Sequence, residues 1–425
     1  MGRRAPRLAG LLVALLLLAA PAGVARAESV AAVGPAALAP PTVLLDGLRL
    51  NFDVPPTIVS GRTLVPVRVI AEALGMQVAW DPDARRVTAS GQGQSVVLFI
   101  DRTDAYVNGK PALLDVPATI VGGRTLVPLR FFSGAFGAGV GWDDATRTVL
   151  LTSPPRAMHL EAFYAIQAFD QRGLIPRFNR ADFGWSRLRA DGTIDLQGKD
   201  FFWPEAAGSV TPESILADAA QAGTGRYLMV FATDTDGGLT HLLGDDKLIA
   251  AAAQNVAAMV AAKGFDGALL DLEGLGWVGD ATTNPLQVQA RFNKLVDAAA
   301  QALHQQGKGL ALALHPLNSA YKGYDYAHIG ATADSIVIMA YDYRSDRGPE
   351  PLDLVDAAVR LALAQGVATG KLVLGINVYH EDGTSLPQKL GIAKRYGLKG
   401  AALWRLGLVT DDELAALQAS VIMRQ

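Results

Sequence analysis

The chain has 425 residues, half of them hydrophobic, enough for two or three domains with a sizeable core. A formal net charge of −3 gives no electrostatic reason to expect a nucleic-acid partner. With no cysteine, the chain cannot form disulfides, use thiol catalysis, bind zinc through Cys or carry a lipidated N-terminal Cys.

The first element is a targeting segment. Arg3, Arg4 and Arg7 precede the apolar run Leu8 to Ala20, and Ala25-Arg26-Ala27 fits a cleavage site before Glu28. A signal peptide over 1–27 follows, and an uncleaved anchor is the alternative. The apolar part is short for a membrane span. No later segment is apolar for long enough to cross a bilayer. The mature protein is therefore expected to be secreted, extracellular or cell-wall associated, with no membrane partner. Residues 28–41, rich in Ala, Pro and Val, read as a linker.

A duplication occupies 42–152. Val54 to Arg68, containing Gly61-Arg62-Thr63-Leu64-Val65-Pro66, is matched by Val116 to Arg130, containing Gly123-Arg124-Thr125-Leu126-Val127-Pro128. Each copy continues into a short apolar helix pattern, Val69 to Leu74 and Phe131 to Phe136. A Trp-Asp turn comes next, at Trp80-Asp81 and Trp142-Asp143, and a strand near Val87 or Val149 closes the copy. Self-similarity at a fixed offset means two copies of one supersecondary unit packed together. The doubled motif resembles the N-terminal domain of copper amine oxidases, a two-repeat stalk in bacterial surface proteins. That resemblance implies a small α+β spacer without copper chemistry. Arg62, Arg124, Trp80 and Trp142 are then structural, with contact to wall glycan as the alternative.

Ser153-Pro154-Pro155 marks a boundary. From 156 to 425, apolar β-rich runs alternate with helical patterns, which argues for a parallel α/β sheet. The predicted strands are Met158–Ala165, Phe183–Leu188, Arg226–Ala232, Ala268–Glu273, Gly309–His315, Ser335–Tyr343, Lys371–Tyr379 and Gly400–Trp404. Eight strands on this scale suit a (β/α)8 TIM barrel, with an open doubly wound sheet as the rival. Thr211-Pro212, Ser385 with Gln388, and Thr410 with Glu413 read as helix caps. Asp245 to Lys263 reads as a long Ala-rich helix, and Asp191-Gly192 as a hairpin turn after the second strand.

The fourth strand carries the strongest chemical signal. Its side chains alternate, so Leu269, Asp271 and Glu273 share one face, and Ala268, Leu270 and Leu272 the other. In a barrel of this kind the site lies at the C-terminal ends of the strands. That rule gathers Asp271 and Glu273 with Tyr341-Asp342-Tyr343 from strand six, Asn377-Val378-Tyr379 from strand seven and Trp404-Arg405 from strand eight. Carboxylates ringed by aromatics suit glycoside cleavage, because rings pack on sugar faces while carboxylates manage protons. The six histidines are scattered without H-E-x-x-H spacing. No metal site, phosphate loop or cofactor is expected.

Phe265 to Glu273, Met339-Ala340-Tyr341-Asp342 and Gly400-Ala401-Ala402-Leu403-Trp404 resemble, in order and spacing, motifs of glycoside hydrolase family 18. The likeness covers roughly 156–420 and is greatest to the branch of bacterial cell-wall and spore-cortex glucosaminidases. It implies substrate-assisted retention on a peptidoglycan or chitin-type glycan. In that scheme Glu273 is the general acid, Asp271 steadies the acetamido group and Tyr341 orients it. Asp342, Tyr343, Tyr379 and Trp404 would bind substrate. Leu269 replaces an Asp usual in the family, which implies weaker activity or a shifted pH optimum. The rivals are a glycan-binding protein with the same barrel and a structural surface spacer. His315-Pro316 is read as structural, and the loop Gly348-Pro349-Glu350-Pro351 is assigned no chemistry.

Overall fold

The computed structural model describes residues 39–424. The signal peptide and most of the linker expected before residue 41 lie outside the described residues. Among those described, no helix is long and apolar enough to cross a membrane.

The duplicated segment forms two similar units. Each has a hairpin, Thr57–Val59 with Arg62–Pro66 or Thr119–Val121 with Arg124–Pro128, then a seven-residue helix, Val67–Ala73 or Leu129–Ala135. A second strand pair follows, Gln77–Asp81 with Arg86–Gly91 or Gly139–Asp143 with Thr148–Thr152. The Trp-Asp pairs thus end strands, and the turns begin just after them. The two Leu-Val-Pro strands pair antiparallel, Val65 opposite Val127. Arg62 reaches Asp115 at 2.6 Å, and Arg124 pairs with Asp53. Because Arg62 and Asp53 belong to one copy and Arg124 and Asp115 to the other, these reciprocal pairs join the copies. Ile70, Val87, Phe132 and Val149 fill one shared core.

The second region is a closed barrel of eight parallel strands. They are His159–Tyr164, Arg180–Leu188, Gly225–Thr233, Gly267–Glu273, Gly309–Leu314, Ser335–Ile338, Leu372–Asn377 and Gly400–Trp404. The first strand pairs with both the second and the eighth, which closes the sheet and excludes the open rival. The hairpin after strand two is present, with Leu188 opposite Ile194. Of the three predicted caps, Thr211 and Thr410 each accept from the backbone three residues on. Ser385 does not cap its helix. Its hydroxyl instead accepts from Asp382 N–H at 2.9 Å, within a turn that Asp382 organises.

Alternation along the strands separates two cores. Ala268, Leu270 and Leu272 join the layer between strands and helices. Leu269 joins the lumen, with Met229, Ala311, Val337, Val373 and Ala402. At the lumen floor Tyr227 lies across strands four and five. A Cβ at Gly267 would come within 2.6 Å of its ring, and one at Gly309 within 1.9 Å of its hydroxyl, so both positions need glycine.

Candidate active site

The site begins with how strand four is set. Helix Asp246–Lys263 starts on an Asp245 side-chain cap and ends at Gly264, whose φ of +72° turns the chain. Phe265 is then fully buried. Asp266 accepts from the Arg226 backbone N–H and Nε at 2.9 Å each, and from Nη2 at 2.7 Å. That pairing anchors the start of strand four to strand three, so the register carries Leu269 and Asp271 into the lumen and Glu273 to its mouth.

Asp271 is 3 % exposed, and its Oδ1 has no hydrogen-bond partner. Burial raises its carboxyl well above the usual range, and the charges of Glu273 and Asp182 add to that. The Glu273 side chain is 34 % exposed. Burial, then the charge of Asp342, pushes it up to about 7. An acid so tuned holds a proton at neutral pH and can still release it.

Strand six is shorter than predicted. It ends at Ile338, and Asp342 adopts a φ of +59°, which an extended strand cannot contain. The Met339 N–H still donates to Leu314 O at 3.0 Å, but the Tyr341 N–H turns back to Met339 O at 2.9 Å. This kink brings the Tyr341 ring into the lumen cluster with Trp404. Gly375 makes room for that ring, since a Cβ there would lie 3.1 Å from it. Burial, and then Asp271, Glu273 and Asp342, raise the Tyr341 hydroxyl well above its ordinary value. All three carboxylates thus act on the phenol.

Asp342 is held from two sides. Its Oδ1 accepts from Asn377 Nδ2 at 3.2 Å and lies 3.3 Å from His380 Nε2. Buried Glu350 accepts the N–H groups of Asp342 at 2.7 Å and Tyr343 at 3.2 Å. The Glu350 N–H donates in turn to Glu381 Oε1 at 3.2 Å, and Glu381 pairs with buried Lys389 at 2.9 Å. The loop assigned no chemistry therefore supplies the clamp that fixes the kink. Prolines on both sides of Glu350 restrict its backbone, and that was the available signal. Asp342, Glu350 and His380 each offer a ligand atom within 4.8 Å of the others. Of these atoms, Asp342 Oδ1 and both Glu350 carboxylate oxygens take the bonds just described.

His315, read as structural, also reaches the site. Its Nε2 is 3.9 Å from Glu273 Oε2 and accepts the Gly274 N–H at 3.4 Å. Burial lowers it to about 4, so it is neutral at pH 7. Its ring stacks on Tyr321 with centroids 4.2 Å apart.

The remaining predicted residues divide. Trp404 packs edge-on against Phe163 at 5.1 Å inside the lumen. Tyr379 is 45 % exposed at the rim, with the Arg347 guanidinium 4.8 Å over its ring. Tyr343 is set apart: its hydroxyl donates to Asn318 Oδ1 at 3.0 Å, and its ring packs on the outer core.

Two family models match the chain. The copper amine oxidase N-terminal domain covers residues 44–151, and the glycosyl hydrolases family 18 model covers 219–391. Chitinase 1 of Aphanocladium album is 29% identical over 174 residues, which is 37% of this chain and 40% of that protein. The cortical fragment-lytic enzyme of Bacillus subtilis is 30% identical over 115 residues, 25% of this chain and 26% of that protein. The chain thus matches less than half the length of either relative. Among solved structures, a chitinase from Chromobacterium violaceum aligns with a TM-score of 0.52 at 19% identity, over 62% of this chain and 99% of that one. The spore cortex-lytic enzyme SleL of Bacillus cereus aligns with a TM-score of 0.51 at 16% identity, over 63% and 75%. At such identities the structural likeness speaks for the fold alone.

Proposed function

Since the barrel belongs to glycosyl hydrolase family 18 and the module before it to the copper amine oxidase N-terminal domains, we propose that this protein is an exported hydrolase of N-acetylglucosamine-containing glycan. Peptidoglycan comes ahead of chitin as its substrate. The observation that carries the reading is the pair on strand four: a buried, unpaired Asp271 two residues before a partly exposed Glu273 whose carboxyl titrates near 7. A lectin needs no proton donor of that kind.

In the proposed reaction Glu273 gives its proton to the glycosidic oxygen as that oxygen leaves. The substrate's own acetamido oxygen bonds to the anomeric carbon, forming an oxazolinium. Asp271 accepts the acetamido N–H and balances the developing positive charge. Tyr341 donates to the acetamido oxygen and orients it. A water then opens the ring at the anomeric carbon and passes a proton to the Glu273 carboxylate. Holding the internal nucleophile in place supplies up to about 7–11 kcal/mol of the barrier reduction. Asp342 raises the acid, and Trp404 floors the sugar site.

Leu269 favours a second reading, a weakly active or inactive glycan-binding protein, because an apolar side chain stands two residues before Asp271 on its lumen face and, among the described residues, the Asp271 Oδ1 has no hydrogen-bond partner. Product analysis decides between them. Incubation with purified peptidoglycan and with chito-oligosaccharides should yield new reducing ends, with the β-anomer appearing first by NMR. Glu273→Gln should lower the rate by about 10²–10⁴-fold. Binding without new reducing ends from the unaltered protein would leave only the glycan-binding reading.

A further inference from the structure

The duplicated module holds a cavity of about 590 Å³ that the barrel chemistry does not use. It lies where the copies meet. Ile58, Arg62 and Thr63 of the first hairpin form one wall, and the second copy's helix start and strand pair form the rest. Its floor is apolar, from Leu129, Phe131, Val140 and Val149. Trp142 stands at its edge, 40 % exposed.

The charges lining it are unevenly committed. Arg62 is paired with Asp115, and Asp144 accepts from Trp142 Nε1 at 3.3 Å. Arg130 and Arg147 also line the cavity. Neither side chain has an ion pair or hydrogen bond among the described residues, and the Arg147 Nε is buried without a partner. The first copy differs at the matching place. Arg85, the counterpart of Arg147, is held by Asp101 at 2.8 Å. Among the described residues no carboxylate takes that role in the second copy. An exposed indole face beside two uncommitted guanidiniums fits a sugar ring that carries a carboxylate nearby. The ring covers the indole, and the planar guanidinium fork receives the carboxylate.

We propose that this inter-copy cavity binds peptidoglycan strands, with Trp142 under a sugar and Arg130 and Arg147 on a stem-peptide carboxylate. Chitin has no carboxylate and gains only the stacking contact. The inference rests on the hydrolase reading for its choice of polymer, and makes the module a wall-directing element as well as a spacer.

The test is cosedimentation of the full chain, carrying Glu273→Gln to prevent turnover, with insoluble peptidoglycan and with chitin. Trp142→Ala and the double variant Arg130→Gln/Arg147→Gln should each weaken retention on peptidoglycan by about tenfold. The double variant should leave chitin retention unchanged. Trp80→Ala, at the matching place in the first copy, should behave as the parent on both. Added salt should weaken the parent on peptidoglycan and have little effect on the double arginine variant. Parent-like retention of both cavity variants on peptidoglycan would overturn the inference, as would an equal loss with Trp80→Ala or an equal loss on chitin by the double variant. Should Trp142→Ala fail to fold, the arginine pair, whose side chains make no ion pair or hydrogen bond among the described residues, keeps the test intact. Failure of the hydrolase reading appears separately, as absence of new reducing ends.

Discussion

The barrel lumen holds buried carboxylates at both ends, and the two ends treat them differently. At the closed end Arg180 places Nη2 2.5 Å from Glu161, Nε 2.9 Å from Asp182 and Nη1 3.1 Å from Ser335 Oγ. Its guanidinium also lies 4.5 Å over the Tyr227 ring, and His159 adds 2.8 Å to Glu161. Burial opposes the Glu161 charge, but Arg180 and His159 together hold its carboxyl below the usual value. Asp182, which shares Arg180, is pushed up to about 7, by burial first and then by the Glu161 charge. At the mouth, among the described residues, Asp271 and Glu273 have no positively charged group beside them, and both are raised. A buried acid with a counter-charge is a structural part. One kept without it stores a free-energy cost that chemistry can use.

The largest effects should therefore have opposite signs at the two ends. Arg180→Met strands two carboxylates and should cost about 3–5 kcal/mol of stability. Asp271→Asn should do the reverse and raise the melting temperature while abolishing turnover. The folded value of Asp271 is raised, so the fold favours its protonated form. Its penalty is absent below the ordinary carboxylate range and grows as pH rises towards the folded value. The gain from Asp271→Asn should accordingly be larger in melts at pH 8 than at pH 4, at roughly 2–4 °C per kcal/mol relieved. Equal gains at both pH values would remove the electrostatic account.

This contrast also shows what the sequence could disclose. Alternation put Leu269, Asp271 and Glu273 on one face because a strand has only two faces, and eight apolar runs with helices between them leave few closed arrangements. The second predicted strand starts at Phe183, but the strand begins at Arg180, so Arg180 and Asp182 fall outside the predicted element. Alternation says nothing of Glu161, on a neighbouring strand, or of Tyr227 lying over two glycines. Those partners are set by strand order and stagger. Glu350 was hidden for a similar reason: its work is to accept backbone N–H groups eight and seven residues away, which no side-chain pattern announces. His315 was visible as a residue, but its 3.9 Å approach to Glu273 depends on how strands four and five pair. Tyr343 was grouped with Tyr341 by adjacency, and the kink at Asp342 separates them.

A middle-sized effect sharpens the mouth's side of the comparison. Asp342 is the charge that, after burial, raises Glu273. Asp342→Asn removes that charge, so the Glu273 carboxyl should ionise at lower pH. The general acid would then lose its proton sooner, and the basic limb of kcat/KM should move towards acid. At pH 8 the rate should fall roughly threefold to tenfold more than at pH 5. A uniform fall across pH would mean that Asp342 acts only by touching substrate.

The smallest effect should come from the apolar lumen position two residues before Asp271 on its own strand. Leu269 is fully buried, one pleat below Asp271, among Met229, Ala311 and Val337. Leu269→Asn offers an amide N–H to the unpaired Oδ1 of Asp271. A hydrogen bond to the charged form lowers a carboxyl's pKa, so the acidic limb should extend to lower pH. Leu269→Asp adds a second acid that must share a proton with the first, and should move the same limb the other way. Both place polar atoms in an apolar layer, at a cost of about 1–3 kcal/mol where they stay unpaired. Stability alone therefore cannot tell support from intrusion, and the pH–rate profile can. Opposite displacements by Asn and Asp would mean that Leu269 sets the working pH of Asp271. Two unchanged profiles with lowered melting temperatures would mean that it is only packing.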